Sequence, residues 1–141
     1  MSTVIDCYLR SARSLADIER TFRVRLAAKG VDPNLYWLHF ETADADAEER
    51  GRDEFGFEPT LRVSLQPPRG GGDAELEVAM LETAHALDCD LVAVRTDTPI
   101  FAYHAGTVYI PERDRDYYEQ QVLPSFPSTV AWTSQLPWLS P

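Results

Sequence analysis

The sequence predicts an α+β domain: a mainly antiparallel sheet with two helices on one face. Three observations lead there. Several short stretches alternate apolar and polar residues, as half-buried strands do. Two longer stretches repeat apolar residues at helical spacing. The two kinds follow one another as β-α-β-β-α-β with a hairpin after, an order that reads as a βαββαβ, ferredoxin-like frame.

Thr3 to Leu9 alternates and is rich in β-branched and aromatic residues, so it reads as a strand. Ser14 opens a helix, with Asp17 three residues on as a short capping box. Leu15, Ile18, Phe22 and Leu26 share one face of it, while Arg20 and Arg23 point to solvent. Gly30 and Pro33 stop it. Leu35 to Glu41 is a second strand and Thr60 to Gln66 a third, with Leu61, Val63 and Leu65 inward. Pro67 to Gly72 is a loop, and Asp73 caps a second helix.

That second helix carries two stripes. Leu76, Met80, Thr83 and Leu87 form one; Val78, Leu81 and His85 form another nearly opposite. A helix apolar on two sides is covered on both, here by the C-terminal tail or by a partner. Leu91 to Thr96 is a strand, broken by Asp97-Thr98-Pro99. Ile100 to His104 and Thr107 to Ile110 form a hairpin around Ala105-Gly106. Pro111 to Val122 is a short helix, and the Pro- and Trp-rich remainder an irregular tail pinned by Trp132 and Trp138. A single domain over 1–141 is expected, with its α/β core in 1–111 and the short helix and tail of 112–141 packed on it.

The net charge is −10. Such a balance argues against non-specific nucleic-acid binding and attraction to anionic membranes, and favours steering toward a basic protein. The first 30 residues are nevertheless basic, with six cationic and three acidic side chains. No segment of ~20 apolar residues is present to span a bilayer. The first ten residues lack a basic-then-apolar secretory pattern, so a cytoplasmic protein with reduced, half-buried Cys7 and Cys89 is expected.

Nothing in the spacing points to catalysis. His39, His85 and His104 show no metal-ligand spacing, so neither a metal nor a cofactor is expected. No Gly-x-Ser-x-Gly elbow or Cys–His signal occurs. Arg69-Gly70-Gly71-Gly72 lacks the order and the Lys-Ser/Thr ending of a phosphate loop, and Asp73 would repel an anion. A small enzyme or ligand-binding domain would have to use the His39, Glu41 and His104 side of the sheet. The conspicuous feature is the acidic segment from Glu41 to Glu54, with Asp44, Asp46, Glu48, Glu49 and Asp53 tempered by Arg50 and Arg52. It reads either as a solvated, mobile loop or as a surface complementing a basic cleft. Trp37, Phe55 and Phe57 are candidate aromatic anchors beside it, the two phenylalanines more naturally core plugs at the strand entry.

The run Glu54-Phe55-Gly56-Phe57-Glu58-Pro59-Thr60-Leu61-Arg62-Val63-Ser64-Leu65 resembles the Phe-Gly-Phe-x-Pro-Thr strand entry of a bacterial family, the immunity proteins of the Sit (swarm inhibition toxin) polymorphic-toxin systems. The layout downstream is similar: a helix with Met80, then Asp90-Leu91-Val92-Ala93-Val94, then a hairpin before Val108-Tyr109-Ile110. The resemblance spans Phe55 to Ile110. The chain departs from the family pattern at Thr96-Asp97-Thr98-Pro99, at Gly70-Gly71-Gly72 and in its tail aromatics. No binding residue carries over. The resemblance implies a cytoplasmic, non-enzymatic immunity protein that blocks a toxin domain, by extension a basic nuclease. The competing expectation is an acidic adaptor or nucleic-acid mimic that inhibits some other protein.

Overall fold

Strand β1 (Ile5–Arg10) turns Ile5, Cys7 and Leu9 toward one face of a sheet and Tyr8 toward the other. Ser14 then caps α1 (Leu15–Ala27), its Oγ accepting from the Asp17 N–H at 3.2 Å. Ile18, Phe22 and Leu26 are the buried face of that helix. The computed structural model describes residues 4–134, so Trp138 lies outside the described residues.

After a short 3₁₀ turn at Pro33–Leu35 come β2 (Trp37–Thr42), α2 (Ala45–Arg50), a π-helical turn at Gly51–Phe55 and β3 (Leu61–Gln66). Then follow α3 (Asp73–Ala86), β4 (Asp90–Arg95), β5 (Thr98–His104), β6 (Thr107–Pro111), α4 (Arg115–Gln121) and β7 (Thr129–Thr133). The seven strands form one sheet in the order β2-β3-β1-β4-β5-β6-β7. All neighbours pair antiparallel except β6 and β7, which are parallel. The α+β class and the antiparallel-dominated sheet are as expected. In β2-β3-β1-β4 each helix-linked strand pair has a third strand between its members, as a βαββαβ chain allows.

Several expectations are corrected. The acidic segment is no loop: residues 45–55 are helical and pack on the sheet face opposite α1 and α3. The tail is not irregular throughout, because α4 serves as a crossover that returns β7 parallel to β6. Asp73 is the first residue of α3 rather than its cap, that position being held by Gly72 at φ 103°.

Thr96 and Asp97, both at positive φ, form the two-residue turn that makes β4 and β5 a hairpin rather than ending the sheet. Cys7 and Cys89 are free and fully buried rather than half-buried.

The main core lies under α1, α3 and α4 and contains Ile18, Phe22, Leu26, Leu61, Val63, Leu65, Leu76 and Met80, with Leu15 and Leu87 half-buried against it. Both stripes of α3 are covered by the chain itself, except at His85. Val78 and Leu81 are buried in the same cluster as Tyr118, Val122 and Phe126. His85 is exposed but donates to or accepts from the Tyr103 hydroxyl at 2.7 Å and meets the Phe126 ring edge-on. Trp132 of β7 does pin the C-terminal part, packing on the core under the Arg115 guanidinium at 4.7 Å.

Candidate functional site

The acidic segment folds because Asp44 within it caps a helix. Asp44 accepts from the Ala47 N–H at 2.8 Å. Asp46 and Glu48 lie in the first turn, where the helix dipole favours negative charge. Gly51 follows, so close to the chain returning into β3 that a Cβ there would sit 2.2 Å from Pro59 Cδ. Gly56, at φ 76°, ends the π-helical turn.

What holds the segment down is a second, smaller core. Ala47, Phe55 and Phe57 are buried with Tyr8, Val92, Val94 and Ala102 on the face of the sheet away from α1. The rings of Tyr8 and Phe55 lie 5.3 Å apart. The motif that carries the family resemblance is therefore a structural closure. Pro59 is buried, and the Thr60 N–H donates to Leu9 O at 2.8 Å. Phe55 and Phe57 are core plugs, not exposed anchors.

The charges divide by direction. Arg50 folds inward over Tyr8 and Phe55, donating to the Tyr8 hydroxyl at 3.1 Å and to Asp97 at 3.2 Å and pairing with Glu54. Arg52 pairs with Glu58 at 3.5 Å. Arg50 and Arg52 thus pair with other carboxylates, Arg52 also acting on Glu48 from a distance, and Asp44, Asp46, Glu48, Glu49 and Asp53 have no ion-pair partner within 4 Å among the described residues. Four of the five are exposed and Glu48 is half-buried. The neighbouring Glu58 carboxylate, partial burial and Asp44 push the Glu48 carboxyl above its ordinary value, and Arg52 opposes that shift. Two carboxylates in contact favour either a shared proton or an approaching cation.

The α2 segment covers only the β1, β4 and β5 part of its face. Trp37, His39 and Glu41 of β2 remain open beside Arg62 and Gln66 of β3. Trp37 and His39 stack at 11° with ring centres 6.0 Å apart. Arg62 reaches Asp6 at 3.3 Å and Glu41 at 3.8 Å. His39 and Glu41 are 3.3 Å apart, as their spacing anticipates. His104 is not with them: it meets Asp90 at 2.7 Å, beside Arg10, four strands away. Four inter-strand steps are about 19 Å, so the three do not form one centre. Among the described residues no group of three or more His, Cys, Asp or Glu converges to hold a metal ion.

One unusual group escaped sequence reasoning. Glu77 is 1% exposed in the middle of α3. It accepts from the Tyr117 hydroxyl at 2.6 Å and from the Tyr118 hydroxyl, and so ties α4 to α3. Burial pushes its carboxyl above the ordinary value. The two tyrosine bonds and Arg95 oppose that shift, and Asp73 adds to it. The only signal in the sequence is a carboxylate flanked by Leu76 and Val78 on a helix apolar on both sides.

A raised folded-state value means that the folded protein holds the proton more tightly than the unfolded chain. The contribution of Glu77 to stability is fully present below the unfolded value and is lost as pH rises through the folded one. Urea unfolding of the protein and of Glu77→Gln from about pH 4 to pH 8 should show the wild-type advantage shrinking as pH rises. An advantage that grows with pH would contradict this account of Glu77.

No protein-family model matches the chain, and no curated protein or solved structure matches it. Among the described residues no helix is long and apolar enough to cross a membrane.

Proposed function

We propose that this protein is an immunity-type inhibitor that binds a basic toxin domain in the cytoplasm and neutralises it by occupancy, without catalysing a reaction. The observation that carries the reading is the fixed acidic surface. Asp44, Asp46, Glu48, Glu49 and Asp53 line a helical segment whose two arginines pair with Glu54, Asp97 and Glu58 rather than with these five, and whose underside is anchored by Phe55 and Phe57. A charged surface held in place loses little freedom when a partner binds, whereas a mobile acidic loop would have to be ordered first. The net charge of −10 has the same sign and steers a cationic domain from a distance. The motif resemblance, carried in part by the same Phe55 and Phe57, supports the same class of function.

The test replaces the five acids together with Asn or Gln and measures association with the basic partner recovered by co-purification from the native host. Association should slow by at least about tenfold. Its dependence on salt from about 0.1 M to 1 M should flatten, since the Debye length falls from about 10 to 3 Å over that range. Removing one acid alone should change little, because an isolated exposed pair contributes only about 0–1 kcal/mol. An unchanged rate and an unchanged salt dependence in the folded variant would exclude this surface.

A further inference from the structure

The sheet ends at β2, and among the described residues no strand pairs with its outer edge. Edges of this kind are ordinarily blunted by proline, lysine, a bulge or an inward-pointing charge. β2 has no proline, lysine or bulge in Trp37-Leu38-His39-Phe40-Glu41-Thr42, its one carboxylate being Glu41, and its register with β3 runs unbroken over six residue pairs. Apolar surface accumulates at its start, where Leu35 is 66% and Trp37 51% exposed. Leu38 and Phe40 are only half-buried at the margin of the main core.

The two sides of this edge differ in chemistry. On the α1 side, Arg23 lies over the Phe40 ring at 5.7 Å and bonds Glu19 at 2.9 Å. On the other side stand Glu41 and the start of α2. At the far end of β2, Thr42, Ala43, Glu48, Glu58, Pro59 and Thr60 line an open depression of about 350 Å³. Its two carboxylates, Glu48 and Glu58, share this lining, and Arg52 reaches Glu58 at 3.5 Å, so the chemistry of the depression suits a further cationic side chain. A second copy of the chain is a poor occupant. Edge-to-edge pairing about a two-fold axis would set α1 against α1 and α2 against α2, joining like charges in molecules that each carry −10.

We propose that β2 accepts an extended segment of the basic partner as an eighth strand of the sheet. Side chains of that segment on the α2 side are Lys or Arg, directed to Glu41 and to the Glu48–Glu58 depression. Those on the α1 side are apolar and continue the row of Leu38 and Phe40. Trp37 flanks the added strand with its indole. This inference rests on the reading of the protein as a binder of a basic partner, and adds the element that docks and the alternation that it recognises.

The experiment pans a phage-displayed library of random peptides of about ten residues against the full chain, the length of an ordinary added strand. The enriched sequences should alternate Lys or Arg with Val, Ile or Leu. A synthetic copy should slow amide hydrogen exchange in Trp37–Thr42 by at least about tenfold. Methylating the alternate amides along one edge of that peptide should weaken binding by at least about tenfold, because main-chain bonds supply the affinity. Enriched peptides without alternation, protection confined to other elements, indifference to methylation, or no enrichment would each overturn the inference. The two readings fail separately. With Asp44, Asp46, Glu49 and Asp53 as amides and Glu48 kept, alternating peptides that still protect β2 while partner association is not slowed would leave docking intact and remove the acidic surface. Slowed partner association in that variant, with β2 unprotected by peptide or partner in the wild-type chain, would do the reverse.

Discussion

Phe22→Ala is expected to lower the unfolding free energy by about 3–5 kcal/mol. The side chain is 0% exposed and sits at the centre of the buried stripe of α1, between Ile18 and Leu26. Its ring meets Phe40 of β2 edge-on, with centres 5.9 Å apart. Truncation removes transfer free energy and leaves a cavity bounded by helix and sheet, which can collapse only partly. The lost aromatic contact adds to the cost. Because Phe22 touches the edge strand, the damage should reach β2 as well as α1. Urea unfolding checks the magnitude. A loss below about 1 kcal/mol would mean that α1 is not seated on the sheet through this residue.

Phe55→Ala should cost a similar amount, about 3–5 kcal/mol, but with a different consequence. Phe55 belongs to the smaller core, where Tyr8, Val92, Val94, Ala102 and Phe57 are its buried companions. Arg50 also rests on its ring at 5.8 Å. Removing the ring takes away the anchor of the π-helical turn and loosens the acidic helix before the rest of the domain. Amide exchange in residues 45–58 should quicken ahead of global unfolding, and association with a basic partner should weaken although no charge has changed. Undiminished protection of that segment would show that α2 is held by something other than this ring.

Much of the sheet was legible in the sequence because strand periodicity is local. Leu61, Val63 and Leu65 alternate, and they are buried. The α2 segment was not legible for a physical reason. Ala45 to Arg50 shows no apolar stripe, and only Ala47 of those six residues is buried. Its helix is set by the Asp44 cap and by the plugs Phe55 and Phe57, which lie beyond the helix itself. β7 was hidden in the same way, because a parallel edge strand is specified by the crossover that delivers it and not by its own pattern. Exposure of Asp44, Asp46, Glu49 and Asp53 follows from their charge alone. That the surface is stapled in place depends on Tyr8, Val92 and Ala102, which lie far away in the chain. Glu77 was passed over because its two tyrosine partners sit forty residues downstream.

The claim that the protein neutralises a basic toxin is tested most directly in cells. The basic protein that co-purifies with the chain is expressed alone, with the wild-type chain, and with the chain carrying amides at the five acidic positions. The account predicts that the partner alone arrests growth, that the wild-type chain restores it, and that the substituted chain restores it poorly while remaining folded. Growth unaffected by the partner alone, or arrest that persists in the presence of the wild-type chain, would contradict it.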